Sequence, residues 1–198
     1  MSEPEHAPRR LVVGITGASG AIYGVRLLER LRETDVEAHL IVSRWARVTI
    51  EHETGRALSE VTALADVSYA ASDQAAAVSS GSFRTDGMVI APCSTKTLAA
   101  IAAGFSHDLI CRAADVVLKE RRRLVLAVRE TPLHAVHLRN MLTLAELGAT
   151  IAPPTPAFYH RPESVDEIVD QTAIRLLDQV GVRLESASRW SGLPAAGE

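Results

Sequence analysis

The chain has 198 residues, enough for one domain with its own core. Hydrophobic residues make up 47% and charged residues 23%, and 21 basic against 24 acidic side chains leave a formal charge of −3. That balance is ordinary for a globular protein and excludes a general nucleic-acid binder, which carries a strong basic excess. No apolar run reaches the roughly 18 residues of a membrane helix, and no internal period marks a fibrous or repeat protein. The two cysteines, Cys93 and Cys111, make no disulfide framework and lack metal-ligand spacing. The first ten residues are polar and hold no leader-like apolar stretch, so a cytoplasmic, reducing setting is expected.

Leu11 to Thr16 is a short β-branched run read as a buried first strand, followed by helical spacing over Ala21 to Leu31. Ala38 to Val42 reads as a second strand closed by Ser43, and Ala46 to Glu53 as a helix. Residues 55 to 82 are alanine-rich and yield only a turn at Ser79 to Ser82. Asp86 to Ala91 is a third strand, stopped by Pro92. Thr95 to Ala103 is a short helix ended by Gly104. Leu109 to Arg122 is a further helix, and Leu124 to Val128 a further strand. Pro132 to Leu147 reads as a helix ended by Gly148, and Ala149 to Ala152 as a last strand. A proline loop follows. Ser164 then caps a helix to Val180, with Glu167 as its capping-box partner. One domain over 10–182 is expected, with a disordered N-terminal tail at 1–9 and a C-terminal tail at 183–198.

Strands alternating with helices specify an α/β fold with a parallel sheet covered on both faces. In such sheets ligands bind beyond the carboxyl ends of the strands. The first of these ends is Gly14-Ile15-Thr16-Gly17-Ala18-Ser19-Gly20, whose N–H groups at a helix start suit a phosphate. Its G-x-x-G-x-x-G spacing and the serine ending the second strand do not match a dinucleotide fingerprint. Ser94, Thr95, Lys96 and Thr97 offer hydroxyls and free N–H groups as a second anion cradle, though a plain N-cap needs only one of them. Cys93 has no histidine beside it in sequence and reads as packing.

The stretch from Arg112 to Glu130 is unusual. Arg112 and Lys119 are seven apart and share a helix face, while Arg121 to Arg123 read as solvent-facing. Arg129 stands at a strand end, and Glu130 beside it fits a general acid if burial raises its pKa. Tyr159 and Arg175 fit the same crevice, or else packing and a surface ion pair respectively. His134 and His137 lack the acidic partners of a metal site, and no metal is expected.

Taken together, GITGASGAIYGVRLLE (14–29), Ser43, SSGSF (79–83), MVIAPCSTKTLAAIAAG (88–104), RAADVVLKERRRLVLAVRETPL (112–133), NMLTLAELGA (140–149), PAFYHRPES (156–164) and the RW at 189–190 appear in a familiar order. The chain resembles the flavin prenyltransferases, the UbiX-like proteins, over nearly its whole length. The resemblance implies a Rossmann-like three-layer flavoprotein fold assembled as a homododecamer. It implies transfer of a dimethylallyl group from dimethylallyl phosphate to N5 and C6 of reduced FMN. The product, prenylated FMN, would pass to a UbiD-like decarboxylase.

By position, Gly17, Ala18, Ser19, Ser43, Ser94 to Thr97 and Arg129 would hold FMN. Lys119, Arg129, Tyr159 and Arg175 would hold the substrate phosphate, with Arg112 nearby. Glu53 and Glu130 would be the acidic groups, Ser19 a proton-handling partner, and Lys119 a catalytic cation. A departure lies in the stretch 72–78 before S-G-S, a segment where some members carry a tryptophan and where Gln74 supplies no aromatic face; it looks more like the members associated with phenolic-acid decarboxylases. Two other readings are a flavin-dependent cysteine-decarboxylase fold and a non-catalytic flavin carrier. The first lacks its P-x-S-x-N-T stretch here, and the second has no need of Lys119, Arg129, Glu130 and Arg175 together.

Overall fold

The computed structural model describes residues 9–184, 189, 190 and 192. The tail expected at 1–9 lies outside them except for Arg9, and most of that expected at 183–198 lies outside them too. Six strands form one parallel sheet: β1 (Arg10–Ile15), β2 (Glu37–Val42), β3 (Val67–Ala70), β4 (Gly87–Cys93), β5 (Arg123–Val128) and β6 (Thr150–Ile151). Their order is β3-β2-β1-β4-β5-β6. Val13 pairs with Leu40 of β2 on one side and with Val89 of β4 on the other. A strand with neighbours on both edges and helices on both faces has no wet side, so β1 and β4 are near-continuous apolar runs.

The helices are α1 (Ala21–Leu31), α2 (Arg44–Thr54), α3 (Leu58–Thr62), α4 (Thr95–Ala102), α5 (Leu109–Lys119), α6 (Ala135–Glu146) and α7 (Val165–Gln179). Leu11, Val13 and Ile15 point to one face and pack with Leu27, Leu28 and Leu177 of α1 and α7. Val12, Met88 and Ile90 point to the other, against Leu109, Ile110 and Val117 of α5. This alternation follows from the two-residue repeat of a strand. Arg30 fixes α7 on α1 through a two-pronged bond to Asp170, at 2.6 and 2.7 Å.

Several boundaries differ from those expected. α3 and β3 lie in the stretch read only as a turn-bearing segment. α5 stops at Lys119, because Arg121 adopts a left-handed φ of 54° and turns the chain into β5. α6 starts at Ala135 rather than Pro132, with the ring of His134 accepting from the Val136 N–H as its cap. Ser164 caps α7 as expected, but Glu167 returns its bond to the N–H of Glu163 rather than of Ser164. Only Leu144 of α6 is buried; Val136, Leu138 and Leu142 are exposed.

Candidate active site

The strand order reverses between β1 and β4, and the crevice opens there. Thr16, just past β1, joins the two strand ends. Its hydroxyl donates to the Pro92 carbonyl at 2.7 Å and accepts from the Ser94 N–H at 2.8 Å. Beyond it lies a cleft of about 450 Å³ lined by Gly17, Ser43, Trp45, Ser94, Lys96 and Thr97 among others. That volume is within the range of small-ligand sites, about 300–1,000 Å³.

The turn after β1 presents N–H groups. Those of Gly17, Ala18 and Ser19 meet no acceptor among the described residues. Gly17 is needed: a Cβ there would stand 2.5 Å from that of Trp45. Gly20 has φ 100°, and its N–H and that of Ala21 donate to Glu53 at 2.8 and 2.9 Å. Glu53 therefore caps α1 with one carboxylate oxygen and ties α2 to the turn, a placement that the helix dipole favours. Ser43 caps α2 through the Ala46 N–H, and Ser94 caps α4 through that of Thr97, with the Ser94 and Thr97 hydroxyls 3.0 Å apart. The second cradle is thus a genuine N-cap. The first-turn N–H groups of Thr95 and Lys96 have no intrahelical acceptor and remain for a ligand.

These two turns fit the phosphate and ring edge of a flavin: unpaired N–H donors, hydroxyls, a helix start, and an indole at the wall. Trp45 is 67% exposed over the cleft. The sequence reading missed it, although it follows a strand-ending serine at the place where a parallel sheet binds ligands. Ala71, Ser72, His107 and Asp108 also line the cleft and were not anticipated. Arg129 lies beside the first turn, its Cγ 4.0 Å from where a Cβ on Gly20 would be. Glu130 is exposed and accepts from the Thr131 N–H.

Arg112, Lys119, Tyr159 and Arg175 are not among the residues that line this cleft. Arg112 donates to the Ser79 carbonyl and pairs with Asp115. Lys119 sits by Gly81, paired with Glu120, at the far end of α5. At 1.5 Å per residue that end is about 16 Å from the cleft-side start of the helix. Tyr159 and Arg175 lie together with Trp190 around another hollow of about 450 Å³ on α7. The Tyr159 hydroxyl accepts from Gln171, and Arg175 pairs with Asp178, which also takes a two-pronged bond from Arg189. Burial opposes ionisation of Asp178, but the bonds and charges of Arg189 and Arg175 outweigh it and hold the carboxyl below its usual range.

His107, Asp108 and Cys111 bring ligand-type atoms within 4.8 Å of one another, a grouping that spacing alone did not reveal. Asp108 there caps α5 through the Cys111 N–H. Burial, reinforced by Asp108, pushes the Cys111 thiol up, which keeps it protonated. Cys93 is buried, and its thiol is pushed up to about 12, as suits a packing residue.

A doubly wound parallel sheet with two anion-ready turns at its reversal point defines a nucleotide- or flavin-binding α/β protein. The family model described as Flavoprotein matches residues 1–177. Flavin prenyltransferase UbiX of Escherichia coli (strain K12) is 59% identical over 187 residues, covering 93% of this chain and 99% of that one. A crystal structure of AnUbiX (PadA1) in complex with FMN and dimethylallyl pyrophosphate is 53% identical, with a TM-score of 0.93 over 95% of this chain and all of that one. A dodecameric FMN-dependent UbiX-like decarboxylase from Escherichia coli O157:H7 is 56% identical, with a TM-score of 0.90 over 92% and 100%. The chain belongs to the flavoprotein family and, within it, to the UbiX-like flavin prenyltransferases. Its enzymatic class is accordingly that of a flavin prenyltransferase rather than a carrier or a cysteine decarboxylase.

Proposed function

We propose that this chain joins a dimethylallyl group, taken from dimethylallyl phosphate, to N5 and C6 of reduced FMN, at a site completed by further copies of itself. The observation that carries the second half is the separation of the cationic groups. Arg129 stands beside the first turn, Arg112 and Lys119 meet the 79–85 loop, Arg175 lies on α7 and Tyr159 in the loop before it. A leaving phosphate needs such groups together. The dodecamer formed by the relative from Escherichia coli O157:H7 supplies a precedent for bringing copies together. The exposed apolar residues of α6 offer surface for it.

Reduced FMN, here a substrate, supplies N5 and C6 as the two positions that accept the prenyl group. Its phosphate would rest on the N–H groups of Gly17 to Ser19 and of the α4 start, with the Ser43 and Thr97 hydroxyls as further donors. The allylic C–O bond breaks with its electron pair going to the phosphate, whose charge Lys119, Arg112, Arg129 and Arg175 stabilise. Glu130 is exposed in the single chain, so its acid role requires the covering subunit to bury it; it then donates a proton to that leaving phosphate. The N5–carbon bond forms as the N5 proton is lost; a proton returned to the prenyl double bond makes the tertiary cation that C6 attacks, and the C6 proton then goes to a base near the β1 turn. Glu53 holds Gly20 and Ala21 with Oε2, which leaves Oε1 for this, relayed through Ser19. Water must be kept out while the allylic cation exists, and a covering subunit would do this.

We place the protein in the cytoplasm, with a UbiD-like decarboxylase as recipient of the prenylated FMN. No helix among the described residues is long and apolar enough to cross a membrane. Anaerobic incubation with reduced FMN and dimethylallyl phosphate, followed by mass spectrometry of the flavin, tests the reaction. A flavin heavier by one C5H8 unit supports it, and a flavin of unchanged mass refutes it.

A further inference from the structure

Between β3 and β4 the 79–85 loop crosses the end of α5, and arginines hold it there. Arg122 donates to the Gly81 carbonyl at 2.7 Å and to the Phe83 carbonyl at 2.9 Å, and Arg112 donates to the Ser79 carbonyl at 3.1 Å. Alternate carbonyls of the loop are therefore engaged by guanidinium groups. Arg122 also reaches the Thr85 hydroxyl at 3.4 Å. Sequence reading took Arg122 for a solvent-facing charge. Instead it is half-buried, because the left-handed Arg121 turns the chain just before β5.

The loop in turn touches Lys119. A Cβ built on Gly81 would lie 2.2 Å from Glu120 Oε1 and 2.7 Å from Lys119 Nζ. The Lys119–Glu120 pair thus lies against the place where a side chain is missing. Moving the loop moves the floor on which the Lys119 ammonium rests.

We propose that Arg122 is a positioning residue for the transfer reaction: by fixing the 79–85 loop it sets where Lys119 stands to receive the substrate phosphate. This rests on the transferase reading above. Arg122 itself is no phosphate ligand, since its two Nη atoms are bonded to the loop. Charge-assisted bonds to carbonyls are the stronger kind, and a lysine at this position spans only one of them.

The test is a double-mutant cycle between Arg122→Ala and Lys119→Ala on the assembled enzyme, read as kcat/KM for dimethylallyl phosphate. We expect Arg122→Ala to lower kcat/KM about tenfold in the parent but less than about twofold when Lys119 is already alanine, because coupled residues are not additive. FMN affinity should not change. Arg122→Lys should fall between the parent and the alanine variant. Equal losses in both backgrounds, or no loss, would overturn the proposal and leave Arg122 a residue of general stability.

Gly81→Ala provides the same cycle without touching Arg122, should Arg122→Ala fail to fold. The added methyl presses on the flexible ends of Glu120 and Lys119, and its effect should also vanish with Lys119→Ala. Calorimetric binding of dimethylallyl phosphate gives the cycle without turnover. A parent that binds the phosphate ester but transfers nothing therefore refutes the transferase reading, while the positioning role is still measured.

Discussion

Thr16→Val removes one oxygen from the point where β1 and β4 are joined, with little change in volume. The hydroxyl makes two bonds, to the Pro92 carbonyl at 2.7 Å and from the Ser94 N–H at 2.8 Å, in a residue only 1% exposed. The carbonyl keeps a second donor, the Thr16 N–H at 3.2 Å. The Ser94 N–H keeps none. Losing a typical bond costs about 0.5–1.5 kcal/mol and stranding a donor about 1–3 kcal/mol, so a loss of about 2–3 kcal/mol is expected. In a chain of this size that lowers Tm by roughly 4–12 °C. Thermal or urea unfolding at fixed protomer concentration measures it, since assembly adds to apparent stability. Freed from Thr16, Ser94 would also shift in the cradle, so FMN affinity should drop, while Thr16→Ser should retain it. A Thr16→Val protein within about 0.5 kcal/mol of the parent would show that the joint is not what aligns the two turns.

Glu130→Gln should retain FMN binding yet slow prenyl transfer; normal turnover would remove Glu130 from the acid role. Gly24→Ala would put a Cβ 2.3 Å from the Ala91 carbonyl and 2.8 Å from Ile15, so backbone must move and stability should fall by about 1–3 kcal/mol in a denaturant titration. His39 is buried, with Nδ1 2.9 Å from the Tyr69 hydroxyl; burial, assisted by Arg10 and only partly offset by Glu37, holds its pKa below the usual 6.5. The unfolded chain therefore takes up the proton first. Stability should be fully present above about pH 6.5 and decline as pH falls toward the lowered folded pKa. In His39→Gln that part of the slope should vanish from unfolding curves taken across the window, and an unchanged slope would assign it to other histidines.

The sheet was legible wherever a strand is buried on both faces. β1, β4 and β5 are unbroken apolar runs, and their ends pointed to the cleft. β3 was not, because Val67-Ser68-Tyr69-Ala70 is a short strand at the edge of the sheet, half in contact with solvent. The ends of α5 and α6 were misplaced for local reasons. Helical spacing continues through Arg122, and only a left-handed φ at Arg121 breaks it; Pro132 looks like a helix start, whereas His134 makes the cap. Arg112 and Lys119 were rightly put on one helix face, since both meet the 79–85 loop. Sequence spacing could not show that neither of them lines the chain's own cleft. Nor could it show that the loop is held by Arg122, because an arginine that binds backbone carbonyls requires no particular residue type opposite it.

The central claim is that cationic groups kept apart in one chain meet across copies, and mixing two inactive variants tests it most directly. Lys119→Ala and Arg175→Ala should each transfer little on their own. Co-expressed into mixed oligomers, they should regain part of the parent rate, because some sites then combine an intact Lys119 from one copy with an intact Arg175 from another. Mixed oligomers as inactive as the separate variants would mean that each chain supplies both groups to its own site, or neither.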